Sequence, residues 1–284
     1  MPVKGYVSGT YSCLDTENTG KYIIKRPRGN SKNEREEWYR HQYRAIQFLS
    51  LEICTKGVLT PNVLSFSENE VKETFQSGVP LTQDNFEALP VEVQNEVSNR
   101  LAKFLAKIHQ THGIDARADL DIRFFKSSIY FSAFNLPKPF LKRYRLYLNL
   151  LRQNQHSFRK VLCYRDLKAM HLLYDKEKDN LSVVDFGAVG FDVPLKEFCL
   201  DNPIRSDLSP LFIKKTIEVY NQQKPSQKID INIVKAYLYC AAFNEMASVC
   251  RMKKVPIQDI IGLGKILKDF LENLETAFSD TGMP

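Results

Sequence analysis

The sequence lacks the features that mark membrane-spanning and secreted proteins. Its apolar runs are far shorter than the roughly 20 residues that a membrane-spanning helix needs. Residues 1–20 lack the charged and then apolar pattern of a signal peptide, and no internal repeat or low-complexity tract is visible. The six cysteines, none in a C-x-x-C motif, are Cys13, Cys54, Cys163, Cys199, Cys240 and Cys250. This scatter favours reduced thiols over a disulfide framework or a zinc site, so we expect a cytoplasmic protein.

Positive charge is abundant and unevenly distributed. The 284-residue chain has a net charge of +7, and its charged and apolar fractions are ordinary for a globular protein. Seven cations crowd one segment: Lys138, Lys142, Arg143, Arg145, Arg152, Arg159 and Lys160. They indicate either a solvated helix face or a site for an anionic partner, such as a nucleotide, a phosphorylated sugar or a lipid headgroup at a membrane surface. Nucleic acid is not expected, because no recognised binding motif accompanies the charge.

The stretch from Val161 to Phe198 contains a predicted β-hairpin. Apolar runs at 171–174 and 181–184 flank the polar insert 175–180, a pattern typical of two strands joined by a turn. Asp166 precedes the first strand and Asp185 follows the second, so a hairpin would bring their carboxylates together at its open end. Carboxylates held that close repel each other unless a cation or a proton lies between them. The alternative is that both are ordinary turn residues.

Two short motifs lie at the ends of this hairpin. Residues 164–168, Y-R-D-L-K, and residues 185–187, D-F-G, match the H-R-D-L-K and D-F-G segments of kinases. The chain resembles the aminoglycoside phosphotransferase and choline kinase branch of the protein-kinase-like fold. In that branch the first segment reads H-G-D-x-x-x-x-N, and D-F-G is followed by a D-P pair and an acidic residue.

The segment after D-F-G fits that branch, with three departures. It contains Asp192, Pro194 and Glu197 in the order of the family pattern. Tyr164 replaces the usual His, Val193 separates Asp192 from Pro194, and His171 stands where the family carries Asn as a second metal ligand.

The resemblance implies an α+β fold with two lobes. Residues 1–77 would form an N-lobe, a small antiparallel sheet with one helix that binds the nucleotide. Residues 78–284 would form a larger, mainly helical C-lobe with the catalytic hairpin and the acceptor-binding region. Amphipathic periodicity independently predicts helices at 91–112, 210–222, 229–253 and 257–278.

The resemblance also implies roles in phosphoryl transfer, which depends on positioning and charge neutralisation more than on covalent help. Asp166 would be the catalytic base, Asp185 would bind Mg²⁺, and Lys168 would reach the transferred phosphate. His171 is an unusual ligand for Mg²⁺, which prefers oxygen. It would act through water, accommodate Mn²⁺, or mark a lost second metal site.

Nucleotide-binding residues are predicted in the N-lobe. Gly5, Ser8 and Gly9 precede a strand and resemble the turn that covers the phosphates, and the following strand ends in Lys25, which would pair with the α- and β-phosphates. A helix begins after Ser31, with Trp38, Gln42, Ala45 and Leu49 as its buried stripe.

Three acidic residues, Glu34, Glu36 and Glu37, occupy the first turns of that helix, where its dipole also favours them. Because Glu37 lies beside the buried stripe, we predict that it pairs with Lys25.

Strands are predicted at 61–67 and 71–76, followed by a segment that resembles the family's hinge. Glu73 and Phe75 lie in it, where backbone groups would bind adenine. His109, near the end of the 91–112 helix, is predicted to be a packing residue rather than a catalyst.

The predicted function is an ATP- or GTP-dependent, Mg²⁺-dependent kinase that phosphorylates a hydroxyl of a small molecule. The basic segment favours an anionic acceptor over an aminoglycoside. Three alternatives stay open: a kinase for a lipopolysaccharide-core sugar, a protein kinase, and a pseudokinase that senses nucleotide. A protein kinase is disfavoured because no A-P-E segment follows Gly187.

Overall fold

The computed structural model describes most of the chain. The described residues are 3–4, 10–12, 22–26, 32–51, 55–68, 70–111, 113–122, 125, 134, 136–155, 158–223, 225, 227–253 and 257–279. Gly5, Ser8, Gly9 and Ser31 lie outside them, so the predictions on the phosphate turn and on the helix cap are not addressed by the structure.

The described residues form twelve strands and eight α-helices. The strands are β1 (Val3–Lys4), β2 (Thr10–Ser12), β3 (Tyr22–Lys25), β4 (Val58–Leu59), β5 (Val63–Phe66), β6 (Val71–Thr74), β7 (Val79–Pro80), β8 (Gly113–Ala118), β9 (Phe158–Cys163), β10 (Leu172–Asp175), β11 (Asn180–Val183) and β12 (Gly190–Asp192). The helices are α1 (Lys32–Leu49), α2 (Gln83–Glu87), α3 (Val91–Thr111), α4 (Lys138–Asn154), α5 (Pro203–Ser206), α6 (Pro210–Gln222), α7 (Ile231–Lys253) and α8 (Ile257–Ala277). None of these helices is both long enough and apolar enough to cross a membrane.

The first sheet has five antiparallel strands in the order β1-β2-β3-β6-β5. Its strands β5 and β6 confirm the strands predicted at 61–67 and 71–76. Ile23 of β3 lies opposite Glu73 of β6, and Lys25 lies opposite Val71. Because side chains alternate between the faces of a strand, Lys25 and Glu73 lie on the same face of this sheet.

Helix α1 confirms the helix predicted after Ser31. Gln42, Ala45 and Phe48 are buried, and Trp38 and Leu49 are partly buried, so the inner stripe follows the helical period. Phe48 stacks on Phe186 of the D-F-G segment, with ring centroids 5.1 Å apart. This contact ties α1 to the segment that carries Asp185.

The second sheet confirms the predicted hairpin and extends it. Strands β10 and β11 pair antiparallel with Leu172 opposite Val183 and Asp175 opposite Asn180. Two strands that sequence reasoning did not find complete the sheet, β4 beside β11 and β7 beside β10. Because β4 and β7 lie on opposite sides of the predicted lobe boundary at 77/78, this sheet joins both parts of the chain.

Gly78, next to that boundary, allows the hairpin to approach closely. Its φ is 134°, and a Cβ there would lie 2.9 Å from the carbonyl carbon of Tyr174. Ser77 donates a hydrogen bond to Asp175 at 2.6 Å. The Ser77 hydrogen bond therefore holds the hinge segment against β10. At position 78 any residue other than glycine would be strained, by the backbone conformation and by the close approach of β10.

The remainder is mainly helical, and the predicted helices are confirmed with small shifts at their ends. Ser209 caps α6 by accepting a hydrogen bond from the Leu211 N–H at 3.2 Å. Helix α7 lies at the centre of the core, since every residue from 234 to 243 is almost completely buried. The chain is thus α+β, as predicted.

Candidate active site

The hairpin brings Asp166, His171 and Asp185 into one cluster. Ligand atoms of the three side chains all lie within 4.8 Å of one another. His171 lies between the two carboxylates: Nδ1 is 3.5 Å from Asp166 Oδ2, and Nε2 is 3.4 Å from Asp185 Oδ2. The cluster is partly exposed, so a substrate or an ion can reach it.

The hydrogen bonding of His171 prepares its second nitrogen for a cation. Nδ1 lies 2.9 Å from the backbone carbonyl oxygen of Asp166, which accepts hydrogen bonds and cannot donate them. Nδ1 therefore donates to this oxygen, and Nε2 faces the Asp185 carboxylate either with a proton of its own or as a second acceptor. Two acceptors that face each other require a cation or a proton between them. The donor set of one imidazole nitrogen and carboxylate oxygens fits a divalent ion, and the nitrogen suits Mn²⁺ better than Mg²⁺.

Asp185 combines an unusual backbone conformation with a lowered pKa. Its φ of 61° lies in the left-handed region, which non-glycine residues adopt mainly where the surroundings impose it. Burial, the largest influence, acts to raise the pKa of this carboxyl, but Lys25 and His171 outweigh it and hold the pKa below its ordinary value. Asp185 is therefore a carboxylate at neutral pH, ready to bind a cation.

Lys168 lies directly beside the predicted base. Its Nζ is 2.6 Å from Asp166 Oδ1, and the Lys168 side chain is 41% exposed. This charge-assisted hydrogen bond orients the two side chains, and the ammonium group stays partly exposed to solvent.

Lys25 pairs with Glu73 and not with Glu37. Lys25 Nζ lies 3.0 Å from Glu73 Oε2 and 3.9 Å from Asp185 Oδ1. Although burial acts to lower the pKa of the Lys25 ammonium, Glu73 and Asp185 outweigh it and raise the pKa above its ordinary value. Lys25 is thus a buried cation held next to Asp185 by a buried carboxylate.

The predicted Lys25–Glu37 pair is wrong for a geometric reason. The Glu37 side chain is 71% exposed and lies 3.9 Å from His41, one turn further along the outer side of α1. Glu73 instead lies on the neighbouring strand β6, diagonally opposite Lys25 on the same face. Glu73 was predicted as a hinge residue, and its side chain forms the ion pair with Lys25.

Replacing each glutamate in turn by glutamine tests whether Glu73, and not Glu37, is the partner of Lys25. We expect Glu73→Gln to lower the free energy of unfolding by about 3 kcal/mol, because it leaves a buried ammonium without its main partner. Glu37→Gln, the matched control, should leave stability unchanged, since that side chain is exposed. Chemical denaturation of both variants measures the difference.

The pH dependence of this effect follows from the pKa of Lys25. Because that pKa is raised above 10.5, the stability that the pair contributes is present below pH 10.5 and is lost as pH rises through the folded-state pKa. The difference between wild type and Glu73→Gln should therefore be full at pH 7 and shrink in strong alkali. A larger effect from Glu37→Gln would contradict the assignment.

Tyr164 takes over structural roles at the position where the family carries His. Its side chain is fully buried, and its hydroxyl donates a hydrogen bond to the carbonyl of Val184, directly before Asp185. Its ring meets Phe186 edge to face, with centroids 5.2 Å apart. Burial, with Asp185 and Asp166 nearby, raises the pKa of this hydroxyl well above its ordinary value, so it remains a proton donor.

Glu197 binds the backbone of the two residues that precede Asp166. It is 1% exposed and accepts hydrogen bonds from the backbone N–H groups of Tyr164 and Arg165, the latter at 2.9 Å. Arg165 has a φ of 70° and its Nε lies 3.3 Å from Asp192 Oδ2. Since a left-handed arginine is strained, these contacts are what maintain the conformation that presents Asp166. The sequence indicated Glu197 only as the acidic residue after D-F-G.

His109 extends this support. It is 2% exposed, its Nδ1 lies 2.7 Å from the Tyr220 hydroxyl, and its Nε2 lies 3.3 Å from Glu197 Oε1. It therefore packs beneath residues 164–166, with a polar partner at each ring nitrogen. The remaining predicted hinge residue, Phe75, is 36% exposed at the end of β6. Its backbone role towards adenine stays a prediction.

The fold is that of the protein-kinase-like class. The chain belongs to the phosphotransferase enzyme family, whose family model matches residues 3–224. It is therefore a kinase that acts on hydroxyl groups. Comparison of the sequence with curated proteins gives no match.

Solved structures with similar folds include aminoglycoside and macrolide phosphotransferases. APH(2'')-IIia, in a complex with GDP and kanamycin, is 16% identical with a TM-score of 0.62, covering 96% of this chain and 93% of that one. The ADP-bound aminoglycoside phosphotransferase APH(2'')-Ib is 17% identical with a TM-score of 0.52, covering 98% and 93%. Macrolide 2'-phosphotransferase MphH from Brachybacterium faecium is 12% identical with a TM-score of 0.54, covering 95% and 89%. At these identities the likeness establishes the fold, and the predicted kinase-like fold is confirmed.

Proposed function

We propose that this protein transfers the γ-phosphoryl group of ATP or GTP to a hydroxyl group of a small molecule. The observation that carries the proposal is the cluster of Asp166, His171 and Asp185, within 4.8 Å of one another and flanked by Lys25 and Lys168. Phosphoryl transfer requires in-line positioning and neutralisation of the charge on the transferred group. The carboxylates can bind a metal ion and the ammonium groups can bind phosphate oxygens. Together they would position the transferred group and neutralise its charge.

Lys25 positions the nucleotide phosphates in this proposal. Its ammonium is fixed by Glu73 at 3.0 Å and points towards Asp185 at 3.9 Å, so it is oriented before the nucleotide arrives. Gly5, Ser8 and Gly9 would cover the phosphates from the N-terminal side, and the backbone near Phe75 would bind the base. Glu73 contributes by orienting Lys25.

Asp166 accepts the proton of the attacking hydroxyl. Its Oδ1 is bound to Lys168 and its Oδ2 faces His171, so the carboxylate is oriented from two sides while remaining partly exposed. Lys168 moves its positive charge towards the phosphoryl oxygens as the acceptor oxygen approaches. Asp185 and His171 would hold a divalent ion, Mg²⁺ or Mn²⁺. That ion, when bound, neutralises charge on the β- and γ-phosphates.

The acceptor is a neutral or anionic compound rather than a polycation such as an aminoglycoside. Two of the acidic residues that could bind a polycation already have partners within the protein, although the Asp201 side chain is 53% exposed. Asp201 accepts hydrogen bonds from Lys196 and from the Tyr237 hydroxyl, at 2.5 and 2.6 Å. Glu245 is buried and accepts from the backbone N–H groups of residues 204 and 205.

A screen of phosphate transfer tests the proposal. Radiolabelled ATP and GTP, each with Mg²⁺ or Mn²⁺, are offered with aminoglycosides, macrolides, choline, sugars, sugar phosphates and basic proteins. We expect transfer to a small hydroxyl compound, with none in the Asp166→Asn variant. Labelling of proteins alone would contradict the small-molecule acceptor. Nucleotide binding without transfer to any acceptor class would favour a nucleotide sensor.

A further inference from the structure

Helix α4 presents a continuous cationic face to solvent. Lys138, Lys142, Arg145 and Arg152 are all exposed and recur at intervals of three, four and seven residues, so they line one side of the helix. The opposite side carries Tyr144, Tyr147, Leu148 and Leu151, which are buried in the core. The face is therefore held firmly by packing on its other side.

The cations of this face are not neutralised from within the helix. Helix α4 contains no acidic residue, and the whole stretch from Ile122 to Arg165 contains none either. Among the described residues, the one ion pair made by a cation of α4 is that of Arg143 with Glu275, at 3.5 Å and to the side of the face. A stretch this long without a single carboxylate is not an ordinary solvated surface, which mixes both signs of charge.

An exposed leucine lies within the same face. Leu146 is 48% exposed and adjoins Lys142 and Arg145 on the helix surface. Arg159, exposed on the following strand β9, extends the positive charge beyond the end of α4.

We propose that the α4 face docks on an anionic lipid bilayer, with its cations at the headgroups and Leu146 at the boundary with the acyl chains. Basic residues next to an apolar side chain on a helix that lies flat are typical of binding at the membrane interface. A helix of 17 residues is about 25 Å long, which allows all four cations to meet a flat surface together. The proposal is independent of the acceptor.

A nucleic acid fits this face less well. Single strands are bound through aromatic side chains on which bases stack, and the aromatic residues Tyr144 and Tyr147 of α4 face the core. A phosphate backbone would also gain nothing from Leu146, whereas a bilayer interface would accept it.

Co-sedimentation of the full chain with vesicles tests the surface. The probes are vesicles of phosphatidylcholine alone and of phosphatidylcholine with about 30% phosphatidylglycerol. We expect binding to the anionic vesicles alone, weakening steeply as salt rises. The double variant Lys142→Gln/Arg145→Gln should bind about 25-fold more weakly, since each cation contributes about fivefold. Leu146→Gln should weaken binding about fivefold, with a loss that persists at every salt concentration.

The matched control removes two charges elsewhere. Lys56→Gln/Lys176→Gln takes the same number of cations from exposed positions near the second sheet, and it should bind vesicles like the wild type. Thermal unfolding should be unchanged in all variants, because these side chains are exposed. If both double variants weakened vesicle binding equally, net charge alone would explain the binding, and the assignment to the α4 face would be wrong. Absence of vesicle binding, or binding to an oligonucleotide that the α4 variant abolishes, would overturn the proposal.

Discussion

Asp166→Asn is expected to lower the turnover number by about 10²- to 10⁴-fold while nucleotide affinity stays unchanged. The substitution keeps the shape of the side chain and removes its ability to accept a proton from the attacking hydroxyl. In the proposed mechanism Lys25 and Asp185 bind the nucleotide phosphates and their metal ion, and this change leaves the ion pairs of Lys25 with Glu73 and Asp185 intact. Steady-state kinetics and nucleotide titration on the same preparation measure the two quantities.

The control for Asp166→Asn is the same chemical change at an exposed position. Asp269 lies on the solvent side of α8, so Asp269→Asn should leave both turnover and affinity unchanged. If Asp166→Asn turned over at a rate comparable to the wild type, another group would have to be the proton acceptor.

Asp185→Asn is expected to abolish the metal dependence of nucleotide binding. In the wild type, nucleotide at 100 times its dissociation constant should stabilise the fold by about 2.7 kcal/mol, and only when Mg²⁺ or Mn²⁺ is present. The variant removes the carboxylate that faces His171 Nε2 at 3.4 Å, so the ion loses a charged ligand. Thermal unfolding with nucleotide, with and without metal, measures the loss.

The lowered pKa of Asp185 sets the pH range for this experiment. Because the folded-state pKa lies below 3.8, the stability that ionised Asp185 contributes is present above that pH and is lost as pH falls through the folded-state pKa. Between pH 6 and pH 8 the carboxylate is charged throughout, so metal dependence should not vary through Asp185.

His171→Asn is the matched control for the metal site. It replaces the imidazole with an amide oxygen and should keep the metal dependence while shifting the preference from Mn²⁺ towards Mg²⁺. Nucleotide stabilisation that needs no metal, and that Asp185→Asn leaves unchanged, would identify a nucleotide sensor.

Local patterns in the sequence predicted the hairpin and the long helices α1, α3, α6, α7 and α8, but not the strands β8, β9 and β12. Two apolar runs on either side of a polar insert predict the β10–β11 hairpin, and helical periodicity predicts α1, α3, α6, α7 and α8. These signals are local because each strand or helix repeats its buried side with its own period. The short strands β4 and β7 were missed, since two residues carry no period and pair only because the hairpin is next to them.

By itself, the sequence determined that Asp166 and Asp185 meet, because a hairpin of any register returns its flanking residues to one end. Only the tertiary structure decided that Lys25 pairs with Glu73 rather than Glu37, and that Glu197 and His109 support the residues before Asp166. Those choices depend on strand register and on which helix face is buried against distant parts of the chain. The strand register and the buried helix face are set by the free energy of packing summed over the whole core. No local sequence pattern encodes that sum.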